Sequence, residues 1–246
     1  MNVAVFRPDD ERLDEAVDLL ESLDVTPVPD PMLAVRPSDT APRQADFVVL
    51  TSKTGVELAH EAGWNPGDAT ICAIGEPTAA TLREHGYDVH IVPDRFSSRG
   101  LVATLADHVD GKTVEVARSD HGSDVLTDGL ADAGADVHET ILYELVRPEG
   151  SGRSAELAAE GDLDAALFTS SLTVEHFLAA AEERGIRTEA LDGLQDATVG
   201  TIGDPTRDTA RERGIRVDVV PDTASFDLLA REAVERLRDG HDEAEV

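Results

Sequence analysis

The stretch IGEPTAATLREHGYDVHIVPD at residues 74–94 returns as IGDPTRDTARERGIRVDVVPD at residues 202–222, 128 residues later and without a gap. Twelve of the 21 positions are identical, among them Gly75/Gly203, Pro77/Pro205, Thr78/Thr206 and Gly86/Gly214. At ordinary composition about one or two identities would arise by chance. Self-similarity this dense marks a duplicated structural unit. Working outward, DFVVLTSKTGV (46–56) pairs with DAALFTSSLTV (164–174), and VAVFR (3–7) pairs with VEVAR (114–118). The offset of that last pair also brings VRP (35–37) onto VRP (146–148). The order along the chain is therefore a–b–c–a′–b′–c′.

Each unit opens on a short apolar run, at 3–6, 47–50, 71–74, 114–117, 165–168 and 198–202. Each run leads into a polar turn and then a helical pattern. Leu13, Val17, Leu20 and Leu23 form one apolar helix face, and a helix over 78–85 has Gly86 as its stop. Strand–helix alternation predicts parallel sheets covered by helices on both faces. Two sets of three units predict two similar α/β lobes. The segments PVPDPMLAVRP (27–37) and HETILYELVRP (138–148) follow the two a-type units. They read as crossover strands forming a two-stranded link, with a cleft beside it.

Composition narrows the function. The 246 residues suffice for one large domain or two smaller ones, and 41% are hydrophobic, enough for a packed core. No apolar run approaches the roughly 18–20 residues of a membrane span. The start, MNVAVFRPDDERL, lacks the basic-then-apolar pattern of a signal peptide, so a cytoplasmic protein is expected. The single cysteine, Cys72, excludes an intrachain disulfide and a cysteine cage for a metal. None of the eight histidines shows a close metal-ligand spacing, and no metal site is expected. The 51 acids against 21 bases give a net charge of −30, and Lys53 and Lys112 are the only lysines. Self-repulsion reaches about 10 Å at 0.1 M salt but about 3 Å at 1 M, so this surface suits molar salt, as a haloarchaeal-like protein's would, with an ordinary acidic mesophile protein as the alternative. No basic stripe exists to bind nucleic acid.

Ligands of open parallel sheets sit beyond the strand C-termini, where helices begin. There the sequence places Glu76–Pro77–Thr78 and Asp204–Pro205–Thr206, with the acid reading as helix cap and the proline as first helical residue. Thr51–Ser52–Lys53 and Thr169–Ser170–Ser171 occupy the matching turns of b and b′. Helix starts carry about half a positive charge and free N–H groups. Several of them suit a ligand with many anionic groups. Their Thr and Ser can equally serve only as caps. RSDHGSD (118–124) sets His121 among acids, which reads as an acidic turn before it reads as a catalytic dyad. The repeat register puts Met32 opposite Tyr143, so only one link carries a phenol. That phenol could donate a proton or simply be a satisfied buried tyrosine.

Taken in order, VAVFRP, VLTSKTGV, the duplicated IG-x-P-T helix starts, ILYELVRP, FTSSLTVEHF and the closing VPD…SFDLLAREAV resemble uroporphyrinogen-III synthases over nearly the whole chain. The resemblance implies two flavodoxin-like lobes, one from 1–33 with 149–246 and one from 38–142, linked at 34–37 and 143–148. It implies hydroxymethylbilane, a linear tetrapyrrole with eight carboxylates, as substrate. It implies no cofactor and a monomer. Tyr143 matches the family's linker tyrosine, which assists departure of the substrate hydroxyl. Thr78 and Thr206 match threonines at helix starts facing the substrate. Thr51, Ser52, Thr169, Ser170 and Ser171 fall in turns that contact its carboxylates, and Arg7 stands as a carboxylate partner. A two-lobed binding protein without catalysis remains the alternative.

Overall fold

The computed structural model describes residues 1–244 and resolves two compact units: Met1–Ala34 with the chain from Val146 on, and Val35–Leu145. The first unit opens with β1 (Asn2–Val5), α1 (Glu11–Ser22) and β2 (Thr26–Pro29). The chain leaves it through β3 (Ala34–Pro37). The second unit then adds β4 (Phe47–Leu50), α2 (Lys53–Glu61), β5 (Thr70–Ala73), α3 (Glu76–Glu84), α4 (Ser98–Leu105), β6 (Thr113–Ser119), α5 (Asp124–Asp132) and β7 (Asp136–Val146). The first unit resumes with α6 (Arg153–Glu160), β8 (Ala165–Phe168), α7 (Ser171–Glu183), α8 (Arg187–Asp196), β9 (Thr198–Thr201), α9 (Asp204–Glu212) and α10 (Phe226–Ala244).

The sheet of the first unit runs β2-β1-β8-β9, and that of the second runs β3-β7-β6-β4-β5. The pairs β1–β2, β1–β8, β8–β9, β6–β7, β4–β6 and β4–β5 are all parallel. The duplication maps onto equivalent sheet positions. β1 and β6 are the a-type strands, β8 and β4 the b-type, and β9 and β5 the c-type. Each c-type strand carries one further parallel bridge, Cys72 to Ile91 and Gly200 to Val219, again 128 residues apart. Numbered by repeat position, β2-β1-β8-β9 and β7-β6-β4-β5 both show the 2-1-3-4 order of a flavodoxin-like sheet with a rudimentary fifth position, and β3 is added outside β7 in the second unit. The first unit collects a, b′ and c′; the second collects b, c and a′.

Alternation within the strands divides each sheet into two faces. Val3, Val5, Ala165 and Leu167 face one core with Leu13, Leu20, Leu229 and Val234 of α1 and α10. Ala4, Phe6, Ala166 and Phe168 face the other, where Phe6 and Phe168 stack at 4.6 Å and Phe177 meets both edge-on. In the second unit Val48, Leu50, Ile71 and Ala73 pack with Val56 and Leu82, while Val49, Cys72, Val114 and Val116 pack with Leu101 and Leu130. Burial on both faces is why these strands read as continuous apolar runs rather than as alternating ones.

Three local expectations change. The run 27–37 is not one strand: β2 ends at Pro29 and β3 begins at Ala34. Pro27 and Pro29 sit within β2 opposite Val3 and Val5, tolerated because β2 is an edge strand, and the ladder ends where its partner β1 ends. The partner run 138–148 belongs to an 11-residue strand, β7, which pairs with β6 and then neighbours β3. Ser38 N–H donates to the Leu142 carbonyl at 3.0 Å, and Arg36 pairs with Glu144 in this link. Finally, α3 starts at Glu76 and ends at Glu84, with Gly86 at φ +83° just beyond, where a side chain would be strained.

Candidate active site

The strand C-terminal edges of the two units carry two kinds of helix start. At α2 and α7 the serine caps its own helix. Ser52 Oγ accepts from Gly55 N–H at 3.0 Å. Ser170 Oγ accepts from Thr173 N–H at 3.2 Å, and Thr173 Oγ1 closes a capping box on Ser170 N–H. Thr51 and Thr169, each one residue earlier, are partly exposed. Ser171 Oγ donates to the Pro205 carbonyl at 3.2 Å and accepts from Thr209 Oγ1 at 2.8 Å, which ties the starts of α7 and α9 together. In the second unit Lys53 takes the place of Ser171 and is exposed in the first turn of α2.

The starts of α3 and α9 are different. Their caps are Gly75 and Gly203, both extended and without any side-chain hydrogen bond. The acids expected as caps, Glu76 and Asp204, are instead the first helical residues, and the prolines come second. At α3 the cap lies against the next loop: a Cβ on Gly75 would stand 3.1 Å from Phe96. The first intrahelical bonds run from Ala79 to Gly75 and from Arg207 to Gly203, at 3.0 and 3.1 Å. The N–H groups of Glu76 and Thr78, and of Asp204 and Thr206, therefore have no helical acceptor. Thr78 and Thr206 are each 4% exposed, and neither side chain makes a hydrogen bond among the described residues. In each unit, a nearly covered hydroxyl beside uncapped N–H groups forms a donor set suited to a carboxylate.

Tyr143 lies on β7, opposite Ser119, where the register with β6 shifts after Arg118. It is 7% exposed, and its hydroxyl donates to Ser52 Oγ at 3.0 Å. Ser52 thus serves the helix cap and the phenol together, across 91 residues of sequence. Met32, its counterpart in the repeat register, is fully buried in the first unit and belongs to no strand. The asymmetric phenol thus sits at the same strand edge as the open α3 start.

Arg7 and Arg118 are repeat-related arginines, the first just after β1 and the second near the end of β6. Arg118 is enclosed and bound to Ser123, Asp124 and Glu139. Arg7 meets no acid among the described residues; its guanidinium lies 4.8 Å over the Phe226 ring and donates to the Arg12 carbonyl. Burial, then the Arg12 guanidinium, pulls the pKa of Arg7 below its usual value, against Asp10 and Glu15. It stays a cation at neutral pH. His121 faces Asp120 Oδ1 at 2.9 Å. Burial works against the Asp120 carboxylate, yet His121 and the Leu145 N–H hold its pKa below the usual range. The pair fastens the turn after β6 to β7, as an acidic turn would.

Sequence reasoning missed Asp30. It is 3% exposed and accepts from Gly152 N–H and Ser154 N–H at 2.8 Å, filling the start of α6 from the loop after β2. Its signal, an acid between prolines, is too common to read alone. The larger hollows of the second unit, of about 610 and 710 Å³, lie at strand starts around Asp46 and Trp64, on the edge opposite these turns. Among the described residues no group of three His, Cys, Asp or Glu side chains could hold a metal ion, and no helix is long and apolar enough to cross a membrane.

Comparison with known proteins agrees with this architecture. A family model described as uroporphyrinogen-III synthase HemD matches residues 14–231. A protein of Methanothermobacter thermautotrophicus, provisionally named a uroporphyrinogen-III synthase, is 34% identical over 94% of this chain and 97% of its own. The uroporphyrinogen-III synthase of Chlorobaculum parvum is 26% identical over 81% of this chain and 78% of its own. A mutant uroporphyrinogen III synthase from Thermus thermophilus superposes with a TM-score of 0.70 at 22% identity, covering 98% and 99% of the two chains. The Helicobacter pylori enzyme gives 0.59 at 18% identity, with 97% and 98% covered. At these identities the solved structures speak for the fold, whereas the family match and the archaeal relative speak for descent. The chain belongs to the uroporphyrinogen-III synthase family, whose members are cyclising lyases.

Proposed function

We propose that this protein converts hydroxymethylbilane into uroporphyrinogen III, acting as a monomer in the cytoplasm. The observation that carries the reading is the pair of uncapped helix starts, Gly75–Thr78 and Gly203–Thr206, repeated in both units. A substrate with eight carboxylates needs several donors, and a chain of charge −30 has few cations to give. Backbone N–H groups and hydroxyls supply them without net charge. Arg7, Lys53 and the turns at Thr51 and Thr169 add to this set; Ser52, Ser170 and Ser171 position it, their oxygens being engaged with the helix starts.

In the reaction, the terminal hydroxyl leaves with a proton as water, giving an azafulvene. The far pyrrole attacks through its substituted carbon, forming a spiro intermediate, which fragments and recloses with that ring inverted. The substrate supplies most of this reactivity, so holding its ends in place is the protein's main task. The Tyr143 phenol is the group that can donate to the departing oxygen, with Ser52 fixing its direction at 3.0 Å. The test is direct. Supplied with hydroxymethylbilane in molar KCl, the protein should yield mainly the III isomer after oxidation to porphyrins. The I isomer alone, at the spontaneous rate, would leave the two-lobed binding protein as the better reading.

A further inference from the structure

The repeat continues in structure past its last conserved residue. VPDRFSSRG (92–100) follows c as VPDTASFDL (220–228) follows c′. Ser97 N–H donates to the Arg95 carbonyl at 2.8 Å, and Ser225 N–H donates to the Thr223 carbonyl at 2.7 Å. The backbones agree and the side chains do not. Arg95, Phe96 and Arg99 of the second unit stand where Thr223, Ala224 and Asp227 stand in the first. The first unit's phenylalanine here, Phe226, is 7% exposed under Arg7, whereas Phe96 is 63% exposed.

That exposure is displayed by a hydrogen-bonded turn. Ser97 Oγ accepts from Gly100 N–H at 3.1 Å to cap α4. A Cβ on Gly100 would fall 2.0 Å from the Arg95 carbonyl, so glycine lets the turn close on itself. Phe96 leans over the cap of α3, leaving 3.1 Å to a Cβ placed on Gly75; Gly203 has nothing within 4 Å of the same point. The exposed ring therefore borders the uncapped N–H groups of Glu76 and Thr78. A hollow of about 410 Å³ beside it is lined by Asp94, Arg95, Ser97, Arg99 and Thr104. Most arginines of this chain are paired with acids or carbonyls, but Arg95 and Arg99 are exposed and make no salt bridge or side-chain hydrogen bond among the described residues. Two unpaired guanidinium groups, a bare aromatic face and an open helix start in one place match a pyrrole carrying carboxylate arms.

We infer that Arg95, Phe96 and Arg99 form a substrate-specificity element of the second unit, in which Phe96 packs on a pyrrole ring and the two arginines take its carboxylates. The inference rests on the tetrapyrrole reading above and names residues that reading does not use. Uroporphyrin I, a stable octacarboxylate, serves as probe by its own fluorescence at 1 M KCl, alongside steady-state kinetics with hydroxymethylbilane. Phe96→Ala should weaken uroporphyrin binding and raise KM about three- to tenfold, with kcat at saturation kept. Arg95→Gln/Arg99→Gln should weaken binding about tenfold or more and reduce the preference for uroporphyrin over the tetracarboxylate coproporphyrin. Arg43→Gln, which removes an exposed arginine ahead of β4 at the other sheet edge, should stay within about twofold of the parent on both measures. Parent-like binding and KM in the first two variants, or no uroporphyrin binding by the parent, would overturn the element. If the parent binds uroporphyrin but makes no III isomer, the enzymatic reading fails, and the variants' binding still decides this inference.

Discussion

Tyr143→Phe separates chemistry from architecture. The substitution removes one hydroxyl that donates to Ser52 Oγ at 3.0 Å, and it leaves the 7%-exposed ring packed in its core. Ser52 keeps its bond from Gly55 N–H, so no buried polar atom is left without a partner. The lost hydrogen bond is worth about 0.5–1.5 kcal/mol net. Against a folding stability of about 5–15 kcal/mol, that leaves well under about 1% of the chains unfolded. A purely structural phenol therefore predicts a kcat within about twofold of the parent. A phenol that helps the substrate hydroxyl leave predicts a loss of about a hundredfold or more. The account expects the large loss, with KM little changed and the remaining product shifted toward the I isomer. Ser52→Ala supplies the complement. It loses the α2 cap, about 1 kcal/mol, and frees the phenol's direction while keeping its proton. It should therefore be the less stable variant and the more active one. Stability comes from denaturant titration, and turnover from separating porphyrin isomers after oxidation. Tyr143→Phe turning over within twofold of the parent would refute the donor role.

Thr78→Val and Thr206→Val keep the buried shape and delete the hydroxyl beside each open helix start. Each should raise KM for hydroxymethylbilane about three- to tenfold at unchanged stability, and unchanged KM would leave these hydroxyls to packing. The net charge of −30 predicts a melting temperature that rises between 0.1 and 2 M KCl, because screening shortens the reach of self-repulsion about threefold by 1 M; a flat profile would contradict this. Burial pushes the Cys72 thiol up to about 12 from 9.0. Above pH 9 the unfolded chain loses a proton that the native chain keeps, so this contribution is full below pH 9 and is lost as pH climbs toward 12. Between pH 8 and 10.5 the parent should lose about 2 kcal/mol more than Cys72→Ala in denaturant titrations, and parallel profiles would refute the shift.

The duplicated stretch made most of the fold legible, because a repeat aligned without gaps forces equivalent sheet positions and β5 and β9 occupy them. Apolar runs located every core strand to within a residue or two, for their burial on both faces leaves no alternation to misread. The link was harder. β2 ends with its partner β1, which the apolar run does not announce, and only pairing with β7 identifies β3 as a separate strand. The open starts of α3 and α9 were legible in kind, but the identity of the cap was not. Asp204 is a good cap by propensity and Glu76 is not, yet in both units the backbone turns one residue earlier, at a glycine that also suits the cap position. Long-range partners were illegible altogether. Nothing local says that Ser52 meets Tyr143, that Asp30 fills the start of α6, or that Arg118 is enclosed while Arg7 is not. Phe96 was hidden for the opposite reason: it lies beyond the repeat's conserved end, where divergence looks like noise until the matched backbone makes it a contrast.

The central claim is that duplicated helix starts receive a polyanionic tetrapyrrole and direct its closure. The measurement that tests it most directly is the isomer composition formed from hydroxymethylbilane by the parent protein in molar KCl. The account predicts the III isomer in large excess, formed faster than spontaneous closure. The I isomer alone, at the uncatalysed rate, would contradict it.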